Sequence, residues 1–266
     1  MEIIPVLDLA SGLAVHARAG ERERYQPVRS ALTPGADGDP VALLRAYHEE
    51  LGARACYVAD LDAIGGGAVQ RGLIRELATL ESVGSLLVDA GTSRPASTME
   101  VLACGASEVV VALESLQSFS DLAGITEMLG PGRVIFSLDL RLGRPILNPA
   151  LQDALGAAPD ALSLADQAAA CGVRSLLVLD IGRVGTGCGM DLGLLESLRR
   201  RFPGHRLLAG GGVLTRRDLE RIRETGCDGA LVASAIHAGR IGAADVAALA
   251  SDQSATSDSR YTADWP

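Results

Sequence analysis

Short apolar runs rich in β-branched residues recur along the chain, separated by longer stretches of Ala, Leu and Arg. They read "IIPVLDL", "ACYVADL", "SLLVDAG", "EVVVALE", "VIFSLDL", "SLLVLDI", "RLLAGGG" and "GALVASA", eight in all. Within each run the apolar residues are continuous rather than alternating with polar ones, as strands covered on both faces of a parallel sheet require. The longer stretches between them have helical composition. Eight strands with a helix after each predict an α/β fold, a (β/α)8 TIM barrel, better than an open sheet.

The runs also repeat. "IIPVLDLASG" superposes on "VIFSLDLRLG" with Asp8 on Asp139, and "GARACYVADLDAIGGG" on "GVRSLLVLDIGRVGTG" with Asp60 on Asp180. "LLVDAGT" likewise falls on "LLAGGGV", and "VVVALES" on "ALVASAI". The chain thus reads as two tandem (β/α)4 half-barrels, about 1–130 and 131–250, forming one domain over 1–250. Each half presents equivalent positions to opposite sides of one barrel mouth. From Ser251 the tail "SDQSATSDSRYTADWP" loses the apolar period, and 251–266 is expected to be disordered.

Composition removes several function classes. A formal net charge of −9, with no basic run interleaved with aromatics, argues against nucleic acid as a partner. The opening "MEIIPVLDLASG" carries an acidic second residue and an Asp within its apolar run. It therefore reads as a strand rather than a signal or anchor, and predicts a cytoplasmic protein with no membrane partner. Five cysteines lie far apart without CxxC or CxxH spacing, which disfavours a disulfide framework or a zinc site. No cofactor or metal is predicted.

The motifs "IPVLDL", "FSLDLR", the "GT" of "DIGRVGTG", "AGGGV" and "ALVASAIHAG", taken in order, resemble the HisA/HisF family of histidine biosynthesis over the chain to about residue 250. That resemblance implies an Amadori-type aldose to ketose rearrangement in the isomerase, or ammonia-dependent ring closure in the synthase. Both use one Asp at the end of the first strand and one at the end of the fifth, here Asp8 and Asp139. An Amadori rearrangement needs an acid to open the sugar ring and a base to take the C2 proton. Two carboxylates across an apolar mouth can hold different protonation states. The alternative for either Asp alone is a helix cap or turn contact.

The resemblance also implies phosphate sites built from backbone N–H groups in Gly-rich turns. In the second half Gly185, Gly211, Gly212, Ala233 and Ser234 fit that role. The first half instead carries Asp89 and Ala90 before Gly91, and Leu113 and Glu114 in "VALES". Carboxylates there would repel a phosphate dianion, which predicts one phosphate site and a small monophosphorylated substrate. His16 stands eight positions after the first Asp, where the synthase has Lys and the isomerase often Arg. With Asp60, Asp89, Glu114 and Asp180 it forms a set of expected substrate contacts, the carboxylates together suiting a cationic or amidine-like end or, alternatively, a divalent metal, while for each alone the default is a helix cap and for His16 the equal alternative is a half-buried strand position.

Other features depart from the family. "RVGT" replaces "RDGT", Leu179 stands where the isomerase has Thr, and no aromatic lies near Ala150, where the isomerase places a substrate-stacking Trp. "ERYQPVRS" and "YVADLDAIGGG" look like a HisA-like subgroup tied to tetrahydromethanopterin-linked one-carbon metabolism. The expectation is therefore acid–base chemistry in one-carbon cofactor biosynthesis. The alternatives are the histidine-pathway isomerase itself and a non-catalytic phosphate-binding barrel. The long first loop, "RAGERERYQPVRSALTPGADGDP", suggests a lid whose Arg18, Arg22, Arg24 and Arg29 meet an anion.

Overall fold

All eight apolar runs are strands, and the sheet they form closes on itself. The computed structural model describes residues 1–16, 25–80, 84–156, 159–184 and 189–251. The barrel strands are β1 (Glu2–Ala10), β2 (Ala55–Asp60), β3 (Ser85–Asp89), β4 (Glu108–Ala112), β5 (Val134–Arg141), β6 (Ser175–Asp180), β7 (Arg206–Gly210) and β8 (Gly229–Val232). Each pairs in parallel with the next, and β8 pairs with β1, placing Ile3 opposite Ala230. Helices occupy the connections, giving a (β/α)8 TIM barrel.

Alternation along each strand sends residues to two apolar layers. Ile4, Tyr57, Leu87, Val110, Ile135 and Leu177 point into the barrel and pack on one another. Their neighbours Leu7, Val58, Val88, Phe136 and Val178 belong to the larger layer beneath the helices. Both layers are needed, which is why the runs are continuously apolar. Below the inner layer Arg206 donates to both oxygens of Glu108, at 2.8 and 3.0 Å, and forms an ion pair with Glu2 at 3.5 Å. That cluster plugs the N-terminal end, so the open end of the barrel is the C-terminal one.

Helix starts follow from local chemistry. The Asp39 carboxylate accepts from the N–H groups of Val41 and Ala42, and Pro40 follows in the first helical position. Thr215 and Asp218 form a reciprocal capping box for Arg216–Glu224. Two strands overrun into hairpins at the barrel mouth. After β1 the chain turns at Ser11–Gly12 and returns as Leu13–Val15, while after β5 it turns at Leu142–Gly143 and returns as Arg144–Pro145. The described part of the first loop folds back on the earlier return strand, with Val28 donating to the Ala14 carbonyl and Gly38 to that of Val28. Arg29 is paired with Asp37 at 3.1 Å, which commits it within the loop. Arg18, Arg22 and Arg24 lie outside the described residues. So does the tail beyond Ser251, which itself closes the helix Ala243–Ser251. Among the described residues no helix is long and apolar enough to cross a membrane.

Candidate active site at the barrel mouth

A cavity of about 340 Å³ opens at the C-terminal ends of the strands. Asp8 from β1, Asp89 from β3 and Asp139 from β5 line it, with Glu114 from the turn after β4. These residues share the inward phase of their strands, two or four positions beyond inner-layer residues such as Ile4, Leu87, Val110 and Ile135. Opposite them lie Gly211, Gly212, Ala233 and Ser234, from β7, β8 and the turns that follow. Arg141 and Tyr25 also line the cavity, and Arg141 is the one Arg or Lys among its described lining residues.

The two carboxylates related by the repeat are held differently. Asp139 is buried; its Oδ1 accepts the Ser137 hydroxyl at 2.5 Å and its Oδ2 accepts the Glu114 N–H at 3.1 Å. Burial pushes its pKa well above the usual carboxylate range, and the charges of Glu114 and Asp89 add to this while the two hydrogen bonds oppose it. For Asp8, burial and then the charge of Asp89 raise the value to about 7. Both carboxylates are thus held above the usual range, Asp8 at about 7, which suits it to proton transfer near neutral pH.

Asp89 is also buried, with Oδ1 accepting the Gly91 N–H at 3.0 Å and Oδ2 accepting the Tyr57 hydroxyl at 3.1 Å. Tyr57 stands inside the barrel among Asp89, Asp139 and Asp8; burial and those charges keep it a protonated donor. Sequence reading missed Tyr57, Tyr25, Ser137 and Arg141. For Tyr57, Ser137 and Arg141 the signal was present in the strand alternation that puts Tyr57 in phase with Ala59 and Ser137 in phase with Asp139.

Asp60 and Asp180, expected as substrate contacts, are not among the residues lining the cavity. They fall one position past the inward residues Ala59 and Leu179 and turn toward the loops. Asp60 accepts from the N–H groups of Ala63 and Gln70 and from the Gln70 side chain. Asp180 accepts from the N–H groups of Leu142 and Gly143 and from Arg183 Nε at 2.9 Å. Their role is to hold the mouth together. Among the described residues no group of three or more His, Cys, Asp or Glu is arranged to hold a metal ion.

His16 is not among the lining residues, but its Nε2 lies 3.1 Å from the Ser234 hydroxyl. Behind it the short helix Ser234–His237 is anchored through His237, whose ring contacts the Ser30 hydroxyl at 3.2 Å and the Tyr47 hydroxyl at 3.3 Å. Burial, and then the charge of His16, lowers the His237 pKa to about 4, so it is neutral at physiological pH. Gly185 lies outside the described residues.

The glycine run has a cause inside the protein as well. Gly211 has φ +108°, and a Cβ there would come within 2.5 Å of the Asp180 carbonyl oxygen. Gly212 has φ +78° and faces the cavity. The turns also settle how the halves correspond. Ala112 O accepts from Ser115 and Leu116 as Ala233 O accepts from Ile236 and His237, so Leu113 is the counterpart of Ser234, and Glu114 that of Ala235.

Comparison with known proteins agrees with this architecture. A family model described as histidine biosynthesis protein matches residues 2–242. An imidazole-4-carboxamide isomerase of Thermus thermophilus, whose full name carries two 5-phosphoribosyl groups, is 34% identical over 241 residues, covering 91% of this chain and 96% of the relative. The isomerase of the same name from Deinococcus radiodurans is 30% identical over 240 residues, covering 90% and 95%. An uncharacterized protein of Methanocaldococcus jannaschii is 30% identical over 241 residues, covering 90% and 94%.

Proposed function

Because the chain belongs to the histidine biosynthesis protein family, we propose that it is an isomerase of the HisA type, converting an N-linked, phosphorylated aldose to the corresponding ketose. The observation that carries this reading is the pair Asp8 and Asp139, repeat-related positions on β1 and β5 that line one cavity. Asp139, whose burial favours its protonated form, donates to the ring oxygen as the sugar opens. Asp8, near half ionisation at neutral pH, takes the C2 proton. The resulting enol loses its hydroxyl proton as C1 regains one, leaving a ketone at C2. The phosphate rests on Gly211, Gly212, Ala233 and Ser234, where glycine backbone and a hydroxyl face the cavity.

The named isomerases support an imidazole carboxamide ribotide as the first candidate substrate, in preference to the one-carbon cofactor precursor expected from local resemblance. The test is incubation of that ribotide with the protein in deuterated water. Aldose to ketose conversion with deuterium entering at the sugar is expected, and neither conversion nor exchange would overturn the reading.

A further inference from the structure

In the first half of the mouth, the backbone that could face an anion is already engaged by the protein's own carboxylates. By the repeat register, Gly91 corresponds to Gly212 and Glu114 to Ala235. The Gly91 N–H donates to Asp89 Oδ1 at 3.0 Å, and the Glu114 N–H donates to Asp139 Oδ2 at 3.1 Å. The position equivalent to Asp89 in the second half is Gly210, which has no side chain to do the same. Where Ser234 offers a hydroxyl to the cavity, Leu113 is fully buried in the layer beneath the helices. Asp89 cannot swing aside cheaply, because it is 4% exposed and its second oxygen is held by the buried Tyr57 hydroxyl.

We infer that Asp89 is a specificity-determining residue: it fills the first-half anion position from within, so the site recognises one phosphate, and the substrate end facing Asp89 is a hydrogen-bond donor such as an amide or amino group. This rests on the isomerase reading above. Asp89 is an acceptor toward Gly91 and Tyr57, and a carboxylate that lines the cavity favours a donor rather than an anion beside it. A phosphate in the same place would meet the charges of Asp89 and Glu114 and find the Gly91 and Glu114 N–H groups engaged.

The experiment is calorimetric titration of the full chain with the bisphosphorylated imidazole carboxamide ribotide and with its two derivatives lacking one phosphate each. One derivative should bind within about twofold of the parent, since the second phosphate finds no partner. Asp89→Asn, which replaces the carboxylate with a neutral amide of the same shape, should improve binding of the parent by roughly 10-fold relative to that derivative. A parent that binds unmodified protein roughly 10-fold or more tighter than both derivatives overturns the inference, as does an unchanged ratio in the variant. The wild-type comparison stands even if the variant fails to fold. Deuterium exchange on the same samples separates the two readings: binding as expected without exchange removes the isomerase assignment and leaves that of Asp89. Binding of none of the three removes both.

Discussion

The hairpins that follow β1 and β5 have the same backbone and different fastenings. Ser11 and Gly12 have φ of 51° and 80°, and Leu142 and Gly143 repeat those values. In the second half Asp180 grips the turn directly through two N–H groups. In the first half Asp60, with φ −83° and ψ 89° against −91° and 93° for Asp180, holds Gln70 instead, and the Gln70 side-chain Oε1 accepts the Gly12 N–H while Asp62 accepts that of Ser11. The duplicated feature is therefore backbone geometry, with each half free to meet it by its own side chains. The carboxylates Asp8 and Asp139 are shared in kind, whereas the turns after β3 and β4 and those after β7 and β8 have diverged in charge. Shared chemistry with unshared recognition is what a repeat-built enzyme shows when the two ends of its substrate differ.

The sharpest way to break this comparison is to remove the shared part. Asp8→Asn and Asp139→Asn should each lower kcat by about 10²–10⁴-fold while thermal unfolding shows a folded protein. Retention of most activity in either variant would contradict its place in the pair. The fastening comparison is tested by Asp180→Ala and Asp60→Ala, each of which removes a buried acceptor shared by several part-buried donors. Urea unfolding should show a loss of about 3 kcal/mol in both, and a loss in one alone would mean that the halves do not share the solution. Gly211→Ala should cost about 2–3 kcal/mol, because of its positive φ and the Asp180 carbonyl behind it. The mirror change, Ala90→Gly, should cost under about 1 kcal/mol.

A smaller effect follows from Asp8. Its folded value is raised from 3.8 to about 7, so over that interval the folded state keeps a proton that the unfolded state releases. Stability contributed by this group is therefore present at low pH, falls as pH rises through the interval and is level above it. Asp8→Asn should flatten that part of the stability profile. In the active enzyme kcat/KM should rise with pH through about 7 as Asp8 becomes a base, and a fall over the same range would exchange the acid and base roles.

Much of the fold was legible because its determinants are local. Strands buried on both faces must be apolar throughout, and the repeat places Asp8 over Asp139 without any structural knowledge. The site was legible in part. Asp60 and Asp180 sit in strand-end motifs as acidic as that of Asp89, yet a single step in strand phase turns them away from the cavity. Counting from Ala59 and Leu179 would have shown this. The pairing of Asp89 with Tyr57 depends on the barrel bringing β2 and β3 side by side, which no local pattern states. The need for Gly211 has the same character: it comes from the Asp180 carbonyl on the neighbouring strand.

The claim that the halves share proton chemistry but not anion recognition is tested most directly by crystals soaked in phosphate or sulfate. The account predicts one anion at the mouth, beside Gly212 and Ser234, and none beside Gly91 and Glu114. Clear density for an anion on the Asp89 side of the unmodified protein would contradict it.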